Sequence, residues 1–316
     1  MKKLTSLILK ITLIIGLFLL PAANAFSVQG EGEKRSDRVE SAGYSLFVRG
    51  GFVHQMDTDI DGGGSFSVNR FFVQTGPSYA FGGGSSLSLA LGYGYDNYDF
   101  SDSSALGGQP PWEGVNSFRL SLPWRWKINE KWMGFISPTL RYTGEQGVDL
   151  NDALTGGGFA AFTYRYSNRL SIGPGLGILT QLEDDTQMIP ILAIQWKITD
   201  TLSLQTGRGV GATLGPGLTL SWQPNSEWSL SLGGRYEKLR FRLDDNGAAS
   251  SGIGQDRSFP IFAGIEYRFN PKTRISLIGG IEVGGELRLE DERGNTITEQ
   301  DHDPTGFLGI AFSARF

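Results

Sequence analysis

The 316-residue chain carries two histidines, His54 and His302, and no cysteine. A hydrolase built on a Ser–His pair needs a serine beside the imidazole and a third polar group to orient it. Ser65 and Ser67 follow His54 across one loop, and Asp301 and Asp303 flank His302. Nothing in either spacing specifies a catalytic pair. Without cysteine there is no thiol nucleophile, no disulfide and no sulfur-based zinc site. Asp57-Thr58-Asp59-Ile60-Asp61-Gly62 matches the first half of a calcium loop, but Val68 stands where the closing glutamate belongs, and no helices flank it. It reads as a polar turn. No glycine-rich phosphate loop follows a strand and opens a helix. No catalytic, cofactor-binding or metal residue is therefore expected, and the chain is not expected to be an enzyme.

The remaining chemistry is charge at alternate positions. Arg119, Arg125, Lys127, Arg141, Arg165, Arg235, Arg268, Arg274 and Arg288, with Glu237, Glu266, Glu282 and Glu286, fall on one face of successive extended segments. Around a closed sheet they would line a wet path whose charges tune selectivity, leaning to anionic or neutral polar solutes. An Arg–Glu network that fills the interior and ties the strands together is the alternative. The net charge of −5 argues against a nucleic-acid partner, which calls for clustered cationic excess.

The elements that would carry this face alternate with a period of two. Leu87, Leu89, Leu91, Tyr93 and Tyr95 oppose Ser88, Ala90, Gly92, Gly94 and Asp96. Phe118, Leu120, Leu122, Trp124 and Trp126 oppose Arg119, Ser121, Pro123, Arg125 and Lys127. Short turns at 81–86, 129–131, 167–169, 199–201, 223–227 and 270–273 alternate with mostly longer, acidic connections at 57–64, 100–114, 145–156, 183–186, 244–256 and 290–304, and a short one near 207–211. The acidic loops read as a solvated surface, with cation bridging to lipopolysaccharide phosphates as the alternative. Six of the seven tryptophans (Trp124, Trp126, Trp132, Trp196, Trp222 and Trp228) sit beside the short turns. Indole rings settle at the headgroup level, so these read as an aromatic girdle. The pattern predicts an all-β, closed antiparallel transmembrane β-barrel of about fourteen strands. The count becomes about twelve or sixteen if a connection is misread, and 202–222 is the least regular segment. Pro138, Pro174, Pro190 and Pro216 are expected at bulges or strand ends, and Gly173, Gly175 and Gly177 at tight curvature.

The ends agree. Met1-Lys2-Lys3, an apolar run over 4–20, Pro21 and Ala23-Asn24-Ala25 read as a signal peptide cleaved after Ala25. Residues 26–42 read as a polar tail or small plug, and 43–316 as the barrel. The last segment places Leu308, Ile310, Phe312, Ala314 and Phe316 on one face, and its terminal Phe316 resembles the signal read by the bacterial barrel-assembly machinery. Through segments 236–245, 254–260 and 284–291, the mature chain resembles uncharacterised proteobacterial outer-membrane barrel proteins. That resemblance implies a porin-like location and brings no function with it. The expectation is a passive channel of the bacterial outer membrane, reached by export through the periplasm, with outer-membrane lipid, lipopolysaccharide and the assembly machinery as partners. A non-conducting structural or adhesive barrel is the runner-up, followed by a barrel lipid hydrolase. A chain with one oily face per strand should need detergent to stay dissolved, and boiling should change its gel mobility. Unchanged mobility, or solubility in plain buffer, would exclude the barrel.

Overall fold

The computed structural model describes residues 42–102, 104–207, 217–247 and 249–316. The expected signal peptide, nearly all of the polar tail and the 208–216 tip lie outside the described residues. Eighteen extended segments form one sheet. Four pairs of segments are single strands with a short interruption, so the wall has fourteen strands. In chain order they are β1 (Gly43–Asp59), β2 (Ser65–Gly82), β3 (Ser85–Ser88 and Ala90–Asp102), β4 (Gly114–Ser121 and Trp124–Lys127), β5 (Trp132–Glu145), β6 (Leu154–Arg165) and β7 (Leu170–Gln181). The ring continues with β8 (Asp184–Lys197), β9 (Leu202–Thr206), β10 (Gly217–Trp222), β11 (Trp228–Arg235 and Glu237–Arg242), β12 (Ile253–Asn270), β13 (Thr273–Glu290) and β14 (Thr296–His302 and Thr305–Arg315).

Each strand pairs antiparallel with its sequence neighbours, and β1 pairs with β14 from Phe47↔Arg315 to Gln55↔Phe307, which closes the ring. Phe316 completes that seam: its amide donates to the Leu46 carbonyl at 2.8 Å and its carbonyl accepts from the Leu46 amide at 3.1 Å. In hydrocarbon every backbone donor and acceptor must be paired, and closure alone achieves that for a sheet. The short turns are capped from within. Asn129, Ser167, Thr199, Asn225 and Asn270 each accept backbone amides two or three residues ahead, the turn chemistry of Asn, Ser and Thr.

The outer face is apolar. Leu91, Phe118, Leu140, Ile261, Leu277 and Leu308 are among its exposed members. The six girdle tryptophans flank the capped turns, Trp132 packing on Tyr164 and Trp228 on Tyr267 at ring separations of 5.1 and 4.7 Å. Pro138, Pro174 and Pro190 sit within paired strands rather than at ends, opposite Gly158, Leu192 and Leu176. Gly173 lies so close to the Phe162 carbonyl that a Cβ there would clash.

Four neighbouring strands rise well beyond the apolar band. β12 and β13 have 18 residues each, about 45 Å of height at a 40° tilt, against a band of about 25 Å. β11, β13, β14 and β1 deviate at one level, while β12 runs through it without interruption. β11 is interrupted at Tyr236, and β14 at residues 303–304. β13 carries an extra residue between Val283 and Glu286, where Gly284 has φ of +62°. β1 shows the same slip between Gln55 and Thr58. Such bulges bend a strand and raise its twist.

Above the bend the sheet folds across the mouth and reaches the opposite wall. Arg242 on β11 pairs with Gly144 on β5. The Asp244 amide donates to Glu145 at 3.1 Å, and the Arg240 Nε donates to the Leu182 carbonyl at the β7–β8 tip at 2.8 Å. This lid includes 253–256 and 296–302, which the sequence reading assigned to loops; both are paired strand. Its underside is apolar. Phe241, Leu287 and Leu289 pack with Phe66, Val68, Tyr98, Leu106, Trp112 and Val115 in one buried cluster. Trp112, the seventh tryptophan, is 2% exposed there. Gly284→Val would place a β-branched residue at positive φ, a strain of about 1–3 kcal/mol. The expected result is a lower thermal midpoint and faster protease nicking in 244–251; unchanged values for both would show that the bend does not depend on that glycine.

Candidate functional site

The lumen has three levels, set by strand alternation and by the bend. Directly under the lid is a compact charged group. Arg70 on β2 lies 2.9 Å from Asp256 on β12 and 3.5 Å from Glu282 on β13, and donates to Gln55 on β1 at 2.8 Å. The Tyr98 hydroxyl donates to the same Asp256 oxygen at 2.8 Å, and Ser258 donates to Glu282 at 3.1 Å. Arg70 and Asp256 are 5% exposed and Glu282 4%. A buried guanidinium needs such pairing to offset the loss of water. Arg235 pairs with Glu237 on the same level.

The lid's other face continues the lipid-facing side of β12. There Arg240 pairs with Glu290 at 2.8 Å, Arg257 with Glu286, and Arg288 with Glu299 at 2.7 Å. Arg242 binds the Asp152 carbonyl at 3.0 Å and Glu183 at 2.5 Å. At the β13–β14 tip the Asn295 side chain and backbone amide hold the Asp291 carboxyl below the usual carboxylate range.

A second group of charges follows one inter-strand row, which climbs from the short turn at 270–273 to the outer half of β5. Arg49 on β1 is opposite Gln74 on β2, Gln74 opposite Gly92 on β3, Gly92 opposite Arg119 on β4, and Arg119 opposite Arg141 on β5. In the other direction Arg49 is opposite Ser313 on β14, Ser313 opposite Arg274 on β13, and Arg274 opposite Arg268 on β12. Five arginines thus share one inter-strand row on the lumen face. Arg49 is held by the Gln74 side-chain carbonyl. Glu266 reaches Arg274 at 3.7 Å. Among the described residues, Arg119 and Arg141 make no side-chain hydrogen bond or ion pair, and Arg119 lies within the field of both Arg141 and Arg49. The Glu266 and Arg274 side chains are 20% and 31% exposed, far more open than the level above.

Arg119, Arg125, Arg141, Arg165, Arg235, Arg268, Arg274, Glu266 and Glu282 stand on the lumen-facing side of their strands. Glu286 and Arg288, expected beside them, do not. The extra residue at Gly284 flips the alternation, so Leu287 and Leu289 take the inner face and Glu286 and Arg288 the other. Sequence reasoning missed Arg70, Asp256, Arg49 and the Arg240–Glu290 pair. Asp256 was taken for loop, and around Arg70 both faces of β2 are apolar (Phe66 and Val68 within, Phe71 outside), which hides the alternation.

The histidines stand apart from any serine: His54 Nδ1 is 2.9 Å from Asn69, and His302 Nδ1 is 3.0 Å from the Asp303 carbonyl. Among the described residues no serine hydroxyl bonds either ring. The Asp57–Gly62 stretch forms the bulged end of β1, with Asp57 accepting from Ser65 at 3.1 Å.

Arg70→Met would leave two buried carboxylates without a cation, a loss of about 3–5 kcal/mol. Adding Asp256→Asn and Glu282→Gln should recover part of it. Urea or heat midpoints in micelles read both effects, and a neutral Arg70→Met would contradict the pairing.

Comparison with known proteins gives a match of residues 112–316 to a family described as a domain of unknown function, DUF6268. No curated protein matches. Similar solved structures include the COG4313 outer membrane channel from Pseudomonas putida F1, at 10% identity and a TM-score of 0.49, covering 90% of this chain and 100% of that one. The P. putida toluene transporter TodX, at 10% identity and 0.43, covers 87% of this chain and 90% of that one. The Ralstonia pickettii toluene transporter TbuX, at 13% and 0.42, covers 86% and 89%.

Proposed function

The chain belongs to the DUF6268 family, and we propose that it is a gated passive channel of the bacterial outer membrane for small polar or anionic solutes. The observation that carries this reading is the asymmetry of the lumen. Its outer end is packed by the folded-over lid, whereas near the other end the Glu266 and Arg274 side chains are 20% and 31% exposed, and the arginine row climbs the wall between the two ends. A barrel filled for mechanical strength alone would be expected to pair its interior charges at every level. Here Arg119 and Arg141, directly opposed on adjacent strands, make no ion pair among the described residues. Fourteen strands also enclose more room than side chains fill in eight-stranded barrels.

Passage requires the lid to lift from β5 and the β7–β8 tip. The polar contacts that hold it there are Arg242 to Asp152 and Glu183, Asp244 to Glu145, and Arg240 to Leu182, and lifting must also part the buried apolar cluster under Phe241, Leu287 and Leu289. The hinge is the row of interruptions and bulges at Tyr236, Gly284 and 303–304. Lipopolysaccharide around the apolar belt and the assembly machinery acting on the Phe316 strand are the partners this reading calls for.

The covered mouth also suits a non-conducting structural barrel, and one experiment separates the two. In planar bilayers the unaltered protein should open rarely. Arg242→Ala combined with Glu145→Ala should raise open probability by on the order of tenfold, as expected for losing about 1.4 kcal/mol of closure. Arg119→Glu with Arg141→Glu should turn anion preference into cation preference. Silence of the latch variant at high protein load would remove the channel and leave the structural barrel.

A further inference from the structure

We propose that the arginine row on the lumen wall is a binding site for multivalent anions, solutes bearing two or more phosphoryl or carboxyl groups. The inference takes the channel reading as the route by which the solute arrives, and it adds a discrete site along that route.

The barrel supplies its own comparison. At and above the bend, Arg70, Arg235, Arg240, Arg242, Arg257 and Arg288 each face at least one carboxylate. Along the row, Glu266 faces Arg274 at 3.7 Å, whereas Arg119 and Arg141 make no ion pair among the described residues. Arg119 and Arg141 are directly opposed on adjacent strands. Like charges in that register repel, so the arrangement destabilises the empty barrel. Neighbouring strands are about 4.8 Å apart, and two guanidiniums at that spacing can grip one phosphoryl or carboxyl group between them, each through paired N–H donors. From Arg274 to Arg141 the row crosses six strand steps, about 29 Å of wall, which suits several anionic groups on one solute better than a lone halide.

Gly92 strengthens the case. It stands in the row between Gln74 and Arg119. A Cβ there would meet its nearest neighbours at 3.6 and 3.8 Å, ordinary contact distances. A larger residue is therefore sterically permitted, and a carboxylate at this position would have neutralised Arg119. The notch is instead empty of side chain, beside Arg119, which like Arg141 across from it makes no side-chain hydrogen bond or ion pair among the described residues.

The test is calorimetric titration of the refolded protein in zwitterionic micelles with tripolyphosphate, citrate and acetate. Tripolyphosphate and citrate should bind with defined stoichiometry, and acetate at least tenfold more weakly. Two variants should each weaken tripolyphosphate at least tenfold: Arg119→Gln with Arg141→Gln, which removes the clamp, and Gly92→Asp, which keeps every arginine and adds an internal counter-charge. Arg169→Gln, in a periplasmic turn where Arg169 pairs with Asp200, should change nothing. Heat-dependent gel mobility reports whether each variant is folded. Unaltered binding in folded Gly92→Asp and in the double variant, or acetate equal to citrate, would overturn the site. Repeating the titration in phosphatidylglycerol and phosphatidylcholine nanodiscs separates the sources of phosphoryl groups. Equal affinity is expected for a site inside the lumen, and loss in phosphatidylglycerol would reassign the row to lipid headgroups. Binding by a protein that stays silent in bilayers would refute the channel and keep the site; conduction without arginine-dependent binding would do the reverse.

Discussion

Hydrocarbon offers no hydrogen bonds, and that single deprivation organises the wall of this protein. Each strand must find two partners, so the sheet has to meet itself, and the β1–β14 seam with its terminal Phe316 contacts is where it does. Once the backbone is satisfied by neighbours, side chains are free to differ completely between the two faces. Leucine and phenylalanine take one, arginine and glutamate the other, and the indoles take the boundary.

Above the membrane that constraint lapses, and the sheet behaves differently. Bulges and interruptions, costly in oil, are tolerated in water, and β11, β13, β14 and β1 use them at one height. The bend converts a tube into a covered vessel. It also lets one sheet serve two environments: Leu287 and Leu289 turn toward the apolar cluster, while Glu286, Arg288 and Glu290 engage cations on the reverse face. The charged layer around Arg70 lies beneath this cover tied by ion pairs and hydrogen bonds, whereas Arg119 and Arg141 in the arginine row make none among the described residues.

The wall was legible because its signals repeat. Alternation, capped turns and tryptophans beside three of the six short turns each point to the same architecture, and the strand count follows from the turns. The lid was not legible, and the reason is local. Around Gly284-Gly285 the chain offers two equally good alternations, Glu286/Arg288/Glu290 or Leu287/Leu289, and only the bulge decides which face each set takes. Likewise, the acidic character of 244–256 and 290–304 reads as loop, although Asp256 is an interior ligand of Arg70 and 296–302 is paired strand. The arginine row could be read position by position in β4 and β5, but its extent depends on register across eight strands, which no single segment encodes.

The capped hairpins carry a consequence for how such a molecule can form at all. With Asn129, Ser167, Thr199, Asn225 and Asn270 satisfying the turn amides locally, successive strand pairs can appear early and cheaply, since little chain entropy is lost in joining sequence neighbours. The union of the first and last strands is the exception. It brings together segments some 260 residues apart, as at Phe52↔Ile310, and so ring closure is the natural kinetic bottleneck of biogenesis.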